Sequence, residues 1–223
     1  MTAQDYLDAA LAVAHRAATS EAGALRRAAA VIADTMAQGR RFWAFGSGHS
    51  HALVEEIWGR AGGFVDVHPI LEPALMLHEG LEKSSRLERL PGLADELLAL
   101  RGVGTGDCLL VISNSGRNAV PVEMARGARE RGASVIALTS LAHSGSVTSR
   151  EPRGQRLFEV ADIVIDNCGV PGDAILPHRP HPVGPTSTAV GALLLQAVMC
   201  EVADELARRG VDVDIYESLN VGA

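Results

Sequence analysis

Aromatic residues are scarce in this 223-residue chain, at only 4% of the total. The core must therefore be built from Leu, Val, Ile and Ala, and a pocket that stacks bases or sugar faces is disfavoured. Cysteine is also rare. Cys108, Cys168 and Cys200 are widely spaced and odd in number, which argues against a disulfide framework or a CxxC metal knuckle. Positive charge is short as well, with 20 Lys+Arg against 27 Asp+Glu for a net charge of -7. With no Lys/Arg stripe, neither nucleic acid nor an anionic membrane is an expected partner. The longest apolar stretch, Ala189 to Cys200, is broken by Gln196 and falls short of the ~20 residues a spanning helix needs. The N-terminus reads as an amphipathic helix containing Asp5, Asp8, His15 and Arg16 rather than a signal peptide, so a cytoplasmic location is expected.

Hydrophobic residues make up 47% of the chain, which suits one domain spanning 1–223. Two helical patterns open it, Ala3 to Ala18 and Glu21 to Ala37, with Thr19 and Ser20 as N-caps and Gly39 as the stop. Short apolar runs follow at 41–45, 64–70, 108–112, 134–138 and 163–165, separated mostly by helical segments. Strands of this kind, nearly continuous in Val, Ile and Leu, predict a parallel sheet covered on both faces. The expected fold is a three-layer, doubly wound, flavodoxin-like α/β domain with a five-stranded parallel sheet. Two segments depart from the rhythm. One is the charge-rich connection 71–101, predicted to be partly helical. The other is 168–185, which carries five prolines with His178 and His181 and is predicted to be an irregular functional loop.

Small hydroxyl residues follow the predicted strands: Gly46-Ser47-Gly48-His49-Ser50 after the first, Ser113-Asn114-Ser115-Gly116-Arg117-Asn118 after the third, Thr139-Ser140 after the fourth. Each group lies near a helix N-terminus, where free N–H groups and the positive dipole end make an anion site without lysine, suited to a phosphate monoester. One such loop on its own is more simply a cap or turn; two meeting at one crevice point to phosphate. Three other motifs fit these residues less well. A dinucleotide fingerprint fails at its third glycine, where His51 stands, although Asp66 lies at ribose-binding distance. A nucleophile elbow at Gly48-His-Ser-His-Ala52, with Asp173 and His178 or His181 downstream, lacks an oxyanion loop. A metal site is not expected, since His49 and His51 diverge on a helix and only a particular folding of the loop would bring His178 and His181 together.

These motifs resemble those of the sugar isomerase (SIS) domain proteins. GSGHS is similar to their GxGxS turn, SNSGRN to their SxSGxT/S phosphate loop, and Gly184-Pro-Thr-Ser-Thr-Ala189 to the PTxST stretch of arabinose 5-phosphate isomerases. The likeness runs from about Ala22 to Arg209. It implies that Ser50, Ser113, Ser115 and Asn118 hold a sugar phosphate, within a candidate set that also includes Ser47, His49, Asn114 and Arg117. Thr139, Ser140, Thr186 and Ser187 are the other expected substrate contacts. Asn118 stands where Thr or Ser is usual. Ser115-Gly-Arg117 looks more like the SGRT loop of N-acetylmuramic acid 6-phosphate etherases than the SGET loop of the isomerases. His78-Glu-Gly-Leu-Glu-Lys83 resembles the EGAED segment that carries a catalytic glutamate there. The chain is short of the etherase length.

The implied chemistry is abstraction of the C2 proton from a hexose 6-phosphate, with no cofactor. It needs a histidine to open the ring and a partly buried carboxylate as base. His78, His178, His181, Glu79 and Glu82 are the leading candidates; His49, Glu55 and Glu72 are also available. Elimination of a 3-substituent from an N-acetylamino sugar phosphate is the favoured outcome, with aldose–ketose isomerisation as the alternative and a non-catalytic phosphosugar sensor as the third reading. SIS domains generally pair, so a homodimer or higher oligomer is expected, with the helices of 3–38 at its interface.

Overall fold

The computed structural model describes residues 1–220. Five strands form one sheet: β1 Phe42–Gly46, β2 Val67–Ile70, β3 Cys108–Ile112, β4 Ser134–Thr139 and β5 Ile163–Asp166. Their order is β2-β1-β3-β4-β5 and every pairing is parallel. The predicted second strand began at Phe64. In the structure Phe64 instead makes an isolated antiparallel bridge to Ile215, so the tail near residue 215 is fastened to the approach to β2.

The alternation of side chains along each strand builds two cores. Cys108, Leu110 and Ile112 of β3 face one way, against α2 (Ala22–Ala37), α3 (His51–Ile57) and α9 (Ser187–Arg208). Leu109 and Val111 face the other, against α5 (Leu93–Arg101), α6 (Ala119–Glu130) and α8 (Leu157–Val160). All five residues of β1 and of β3 are buried, as the apolar runs require. Alanines at 24, 28, 29 and 33 let α2 lie close to this core, and α2 is consumed by it. Of the two N-terminal helices, α1 (Ala3–Ser20) has the less buried surface. Val13 and Ala17 are buried, while Leu7 and Leu11 are exposed.

Two local expectations are corrected, and a third, that the 71–101 connection is partly helical, holds. Thr19 and Ser20 are the last residues of α1 rather than caps of α2, because the chain turns at Glu21, whose N–H still bonds to Ala17. Thr2 caps α1 instead, in a capping box with Asp5. The proline-rich segment is not structureless: β6 (Ala174–Leu176) and β7 (Val183–Pro185) form an antiparallel hairpin, held to α1 by Tyr6 Oη donating to the Pro185 carbonyl at 2.8 Å. The 71–101 connection contains α4 (Leu81–Leu87), α5 and two short 3-10 turns. Among the described residues no helix is long and apolar enough to cross a membrane. The remaining helix, α7 (Leu141–Gly145), follows β4.

Candidate functional site

In an open parallel sheet the chain leaves adjacent strands in opposite directions where the strand order reverses, and the crevice there opens at the carboxyl ends. In this sheet that point lies between β1 and β3. The loop after β1 doubles back so tightly that a Cβ on Gly46 would stand 2.4 Å from the Ser50 carbonyl oxygen. Gly48 is left-handed, with φ +56. These two glycines let the turn present Ser50 and His49 at the mouth of the crevice.

The loop after β3 ends at the N-terminus of α6, a three-turn helix. Ser113 Oγ accepts from the Gly116 N–H at 3.2 Å and braces the turn. Among the described residues, the N–H groups of Ser115, Arg117 and Asn118 have no protein acceptor. They supply the donors and the positive dipole end that an oxyanion needs.

Beside these loops lies a cleft of about 250 Å³, lined by His49, Ser50, Asn114, Asn167, Asp173 and Ser187 among others. Asn167 Nδ2 donates to Asn114 Oδ1 at 2.9 Å and so aims that carboxamide. Asp173 holds a left-handed backbone, φ +70, unusual for a residue other than glycine. Its Oδ1 accepts the N–H groups of Thr186 (3.1 Å) and Ser187 (2.8 Å), and its Oδ2 accepts the Ser187 hydroxyl at 2.6 Å. A carboxylate distant in sequence thus caps α9 while facing the cleft. Nearby, His143 Nδ1 accepts the Gly172 N–H at 3.3 Å. Burial holds the His143 pKa below its ordinary value against the opposing pull of Asp173, and Arg117 lowers it further.

A SIS domain model matches residues 5–140. The chain belongs to the SIS domain family. A UPF0309 protein of Halalkalibacterium halodurans is 45% identical over 200 residues, covering 89% of this chain and 83% of that one. A UPF0309 protein of Listeria innocua is 40% identical over 219 residues, covering 97% and 89%. Among solved structures, phosphoheptose isomerase from Neisseria gonorrhoeae superposes with a TM-score of 0.58 at 20% identity, covering 90% of this chain and 98% of its own. The phosphoheptose isomerase from Francisella tularensis gives 0.59 at 17% identity, covering 93% and 100%. At these identities the structural likeness is one of fold.

Within this SIS fold the predicted site residues divide. Ser50, His49, Asn114 and Ser187 line the cleft, and Ser113, Ser115, Arg117 and Asn118 form the turn at α6. Ser47 lies between the two loops, but its hydroxyl donates to Glu88 Oε1 at 2.7 Å. Thr139 and Ser140 are fully buried and their hydroxyls donate to the carbonyls of Asn114 (3.2 Å) and Gly169 (2.7 Å), which makes them braces rather than substrate contacts. Thr186 is fully buried behind Ser187.

The carboxylate expectation fares worst. Glu79 is exposed and paired with Lys83 at 3.0 Å, its pKa lowered by that hydrogen bond and charge; Glu82 is exposed and paired with Arg86 at 2.6 Å. Spaced four residues apart, these pairs make a solvated surface. Glu55 reaches only His51, at 3.9 Å, and Glu72 caps a 3-10 turn through the Ala74 N–H. His178 and His181 are exposed between β6 and β7 and do not line the cleft, while His78 is exposed with its ring edge-on to His51. Among the described residues no group of three or more His, Cys, Asp or Glu is placed to hold a metal. Sequence reading gave no site role to Glu88, Arg150, His143 or Asn167. Asp173 entered only through the rejected elbow, although the preceding Pro171-Gly172 marks a turn that could present it.

Proposed function

We propose that this protein is an aldose–ketose isomerase of a sugar phosphate, working by proton transfer between C2 and C1. The observation that carries this reading is a cleft, at the switch point of the sheet, that gathers a carboxylate, an imidazole and a carboxamide beside a turn of serines and free N–H groups. The phosphate sits over the N-terminus of α6, on the free N–H groups of Ser115, Arg117 and Asn118 and the hydroxyls of Ser50 and Ser115. His49, open to solvent at the rim, exchanges the protons that open the ring, taking one from the anomeric hydroxyl and returning one to the ring oxygen.

Asp173 Oδ2 carries a single protein hydrogen bond and retains a lone pair for the C2 proton. As that proton leaves, charge develops on the C1 oxygen, and Asn114 is held by Asn167 to donate to it from Nδ2. A proton then passes from the C2 hydroxyl to the C1 oxygen, and Asp173 returns the proton it took from C2 to C1, which leaves the carbonyl at C2 and gives the ketose. Strained residues cluster at sites where geometry matters more than local comfort, and the left-handed backbone of Asp173 fits that pattern. Elimination from an N-acetylamino sugar phosphate rested partly on the 78–83 segment, whose glutamates are solvated, so isomerisation is preferred.

The exposed Leu7 and Leu11 on α1 are the face on which two copies pair in this reading. A monomer by light scattering at micromolar concentration would remove that element.

The test is incubation in D₂O with heptose, hexose and N-acetylglucosamine phosphates, followed by proton NMR. Exchange at C2 with appearance of a ketose supports isomerisation. An unsaturated product moves the assignment to elimination, and saturable binding without exchange leaves a sensor.

A further inference from the structure

The chain is acidic overall, yet arginine gathers on the outer side of the anion seat. Arg117 belongs to the turn itself. Arg150 donates its main-chain N–H to the Arg117 carbonyl at 2.7 Å, and its Nη1 reaches Asn118 Oδ1 at 3.2 Å. Asn118 Nδ2 in turn donates to Glu88 Oε2 at 2.8 Å, and Arg89 is the next residue along. Arg150 and Glu88 therefore both bond to the side chain of Asn118, the N-cap of α6, with Arg117 preceding it in the turn and Arg89 next to Glu88.

Among the described residues none of the three arginines pairs with a carboxylate. Arg89 donates to Ser85 Oγ at 3.0 Å, Arg117 to Thr148 Oγ1 at 3.3 Å, and Arg150 to the Asn118 amide oxygen. Arg126, Arg129, Arg131, Arg156 and Arg209 are ion-paired elsewhere, whereas Arg26, Arg27, Arg40, Arg41 and Arg101, like these three, pair with no carboxylate among the described residues. Arg117 Nε is buried with no partner among the described residues, a cost the protein bears unless something fills it. The Arg150 pKa is held down by burial and then by the repulsion of Arg117 and Arg89, with Glu88 opposing, which reports how closely these charges crowd.

We propose that Arg89, Arg117 and Arg150 form a clamp for the phosphate and that, with Glu88 as a fixed countercharge, they match the seat to a dianionic phosphate monoester. The inference rests on the phosphosugar reading of the same site. Three guanidiniums and one carboxylate leave two net positive charges, the complement of a monoester above its second pKa of about 6. A sulfate ester of the same shape carries one charge and leaves the seat over-positive. Glu88 keeps Ser47 and Asn118 oriented and prevents the clamp from favouring ligands with more charge. Arginine suits this role because its planar fork meets phosphate oxygens two at a time.

The experiment is calorimetric titration of the full chain with a hexose 6-phosphate, the corresponding 6-sulfate and a hexose 1,6-bisphosphate. We expect the phosphate to bind at least about tenfold more tightly than the sulfate, and Arg150→Gln to weaken the phosphate about tenfold while changing the sulfate less. Arg89→Gln should act in the same direction, so the proposal survives a failure of one variant to fold. Glu88→Gln should raise affinity for the bisphosphate relative to the monophosphate. The clamp is refuted if Ser115→Ala weakens phosphate binding while both arginine variants leave it within about twofold, or if the wild-type chain prefers the bisphosphate about tenfold. If none of the three ligands binds the wild-type chain, the phosphosugar reading falls and this inference with it.

Discussion

Asp173→Asn separates a cap from a base. The carboxylate accepts two N–H groups on Oδ1 and one hydroxyl on Oδ2, and it lies at the positive end of the 22-residue helix α9. In the asparagine variant the amide oxygen keeps both N–H bonds, and asparagine is among the few residues that tolerate a left-handed backbone. What is lost is the charge at the helix end, at about 0.3–1 kcal/mol. The Ser187 hydroxyl must also turn from donor to acceptor, at about 1 kcal/mol. The sum is a modest destabilisation of about 1–2 kcal/mol, read as a lower urea midpoint with an unchanged slope. If Asp173 is the proton acceptor, C2–H exchange in D₂O should fall by about 10²–10⁴ in a variant that is still folded, because an amide cannot take the proton. Asp173→Gly makes the complementary change: it relieves the left-handed backbone but removes the cap, and it should be equally inactive. The mechanism is wrong if Asp173→Asn loses stability by the expected amount and retains exchange within about tenfold of the wild-type rate.

Other consequences can be checked more simply. Glu79→Gln and Glu82→Gln remove solvated ion pairs, so the urea midpoint and the exchange rate should both be essentially unchanged; a large loss of exchange in either would restore the 78–83 segment to the chemistry. Gly46→Ala places a methyl 2.4 Å from the Ser50 carbonyl oxygen, and the turn must open, costing about 1–3 kcal/mol and weakening phosphate binding by displacing Ser50. Burial pushes the Cys108 thiol far above its ordinary pKa, so a thiol reagent at neutral pH should label exposed Cys200 and spare Cys108 until the protein unfolds. Burial raises the Glu151 pKa, but the hydrogen bond from Arg126 and the N–H groups of Gln155 and Arg153 outweigh it and leave the value depressed. Its contribution to stability is therefore full above the unfolded value of 4.5 and is lost as the pH falls through the lower folded value; Glu151→Gln should flatten the acid limb of a stability profile.

The sheet was legible because β1, β3 and β4 are short apolar runs ended by glycine or serine, and a strand buried on both faces has little freedom to look otherwise. The two anion loops were legible for a related reason. Gly46, Gly48, Ser113 and Ser115 act through backbone turns and local hydroxyls, and local geometry is written in adjacent residues. The hairpin of β6 and β7 was missed because its strands have three residues each and its prolines imitate irregular chain.

Sequence by itself therefore determined the doubly wound sheet and the composition of the turns that follow its strands. Tertiary structure decided which charged groups meet there. Glu79 and Glu82 resembled a catalytic segment yet face solvent, whereas Asp173 reaches the start of α9 only because the hairpin returns the chain to it. Arg89, Arg117 and Arg150 are dispersed along a chain poor in positive charge, and they become neighbours only where the ends of α4 and the segment after α7 close over α6. A turn depends on dihedral preferences of a few consecutive residues, but an electrostatic site depends on distances across the fold. Those distances are set by the packing of helices on the sheet, which no local pattern encodes.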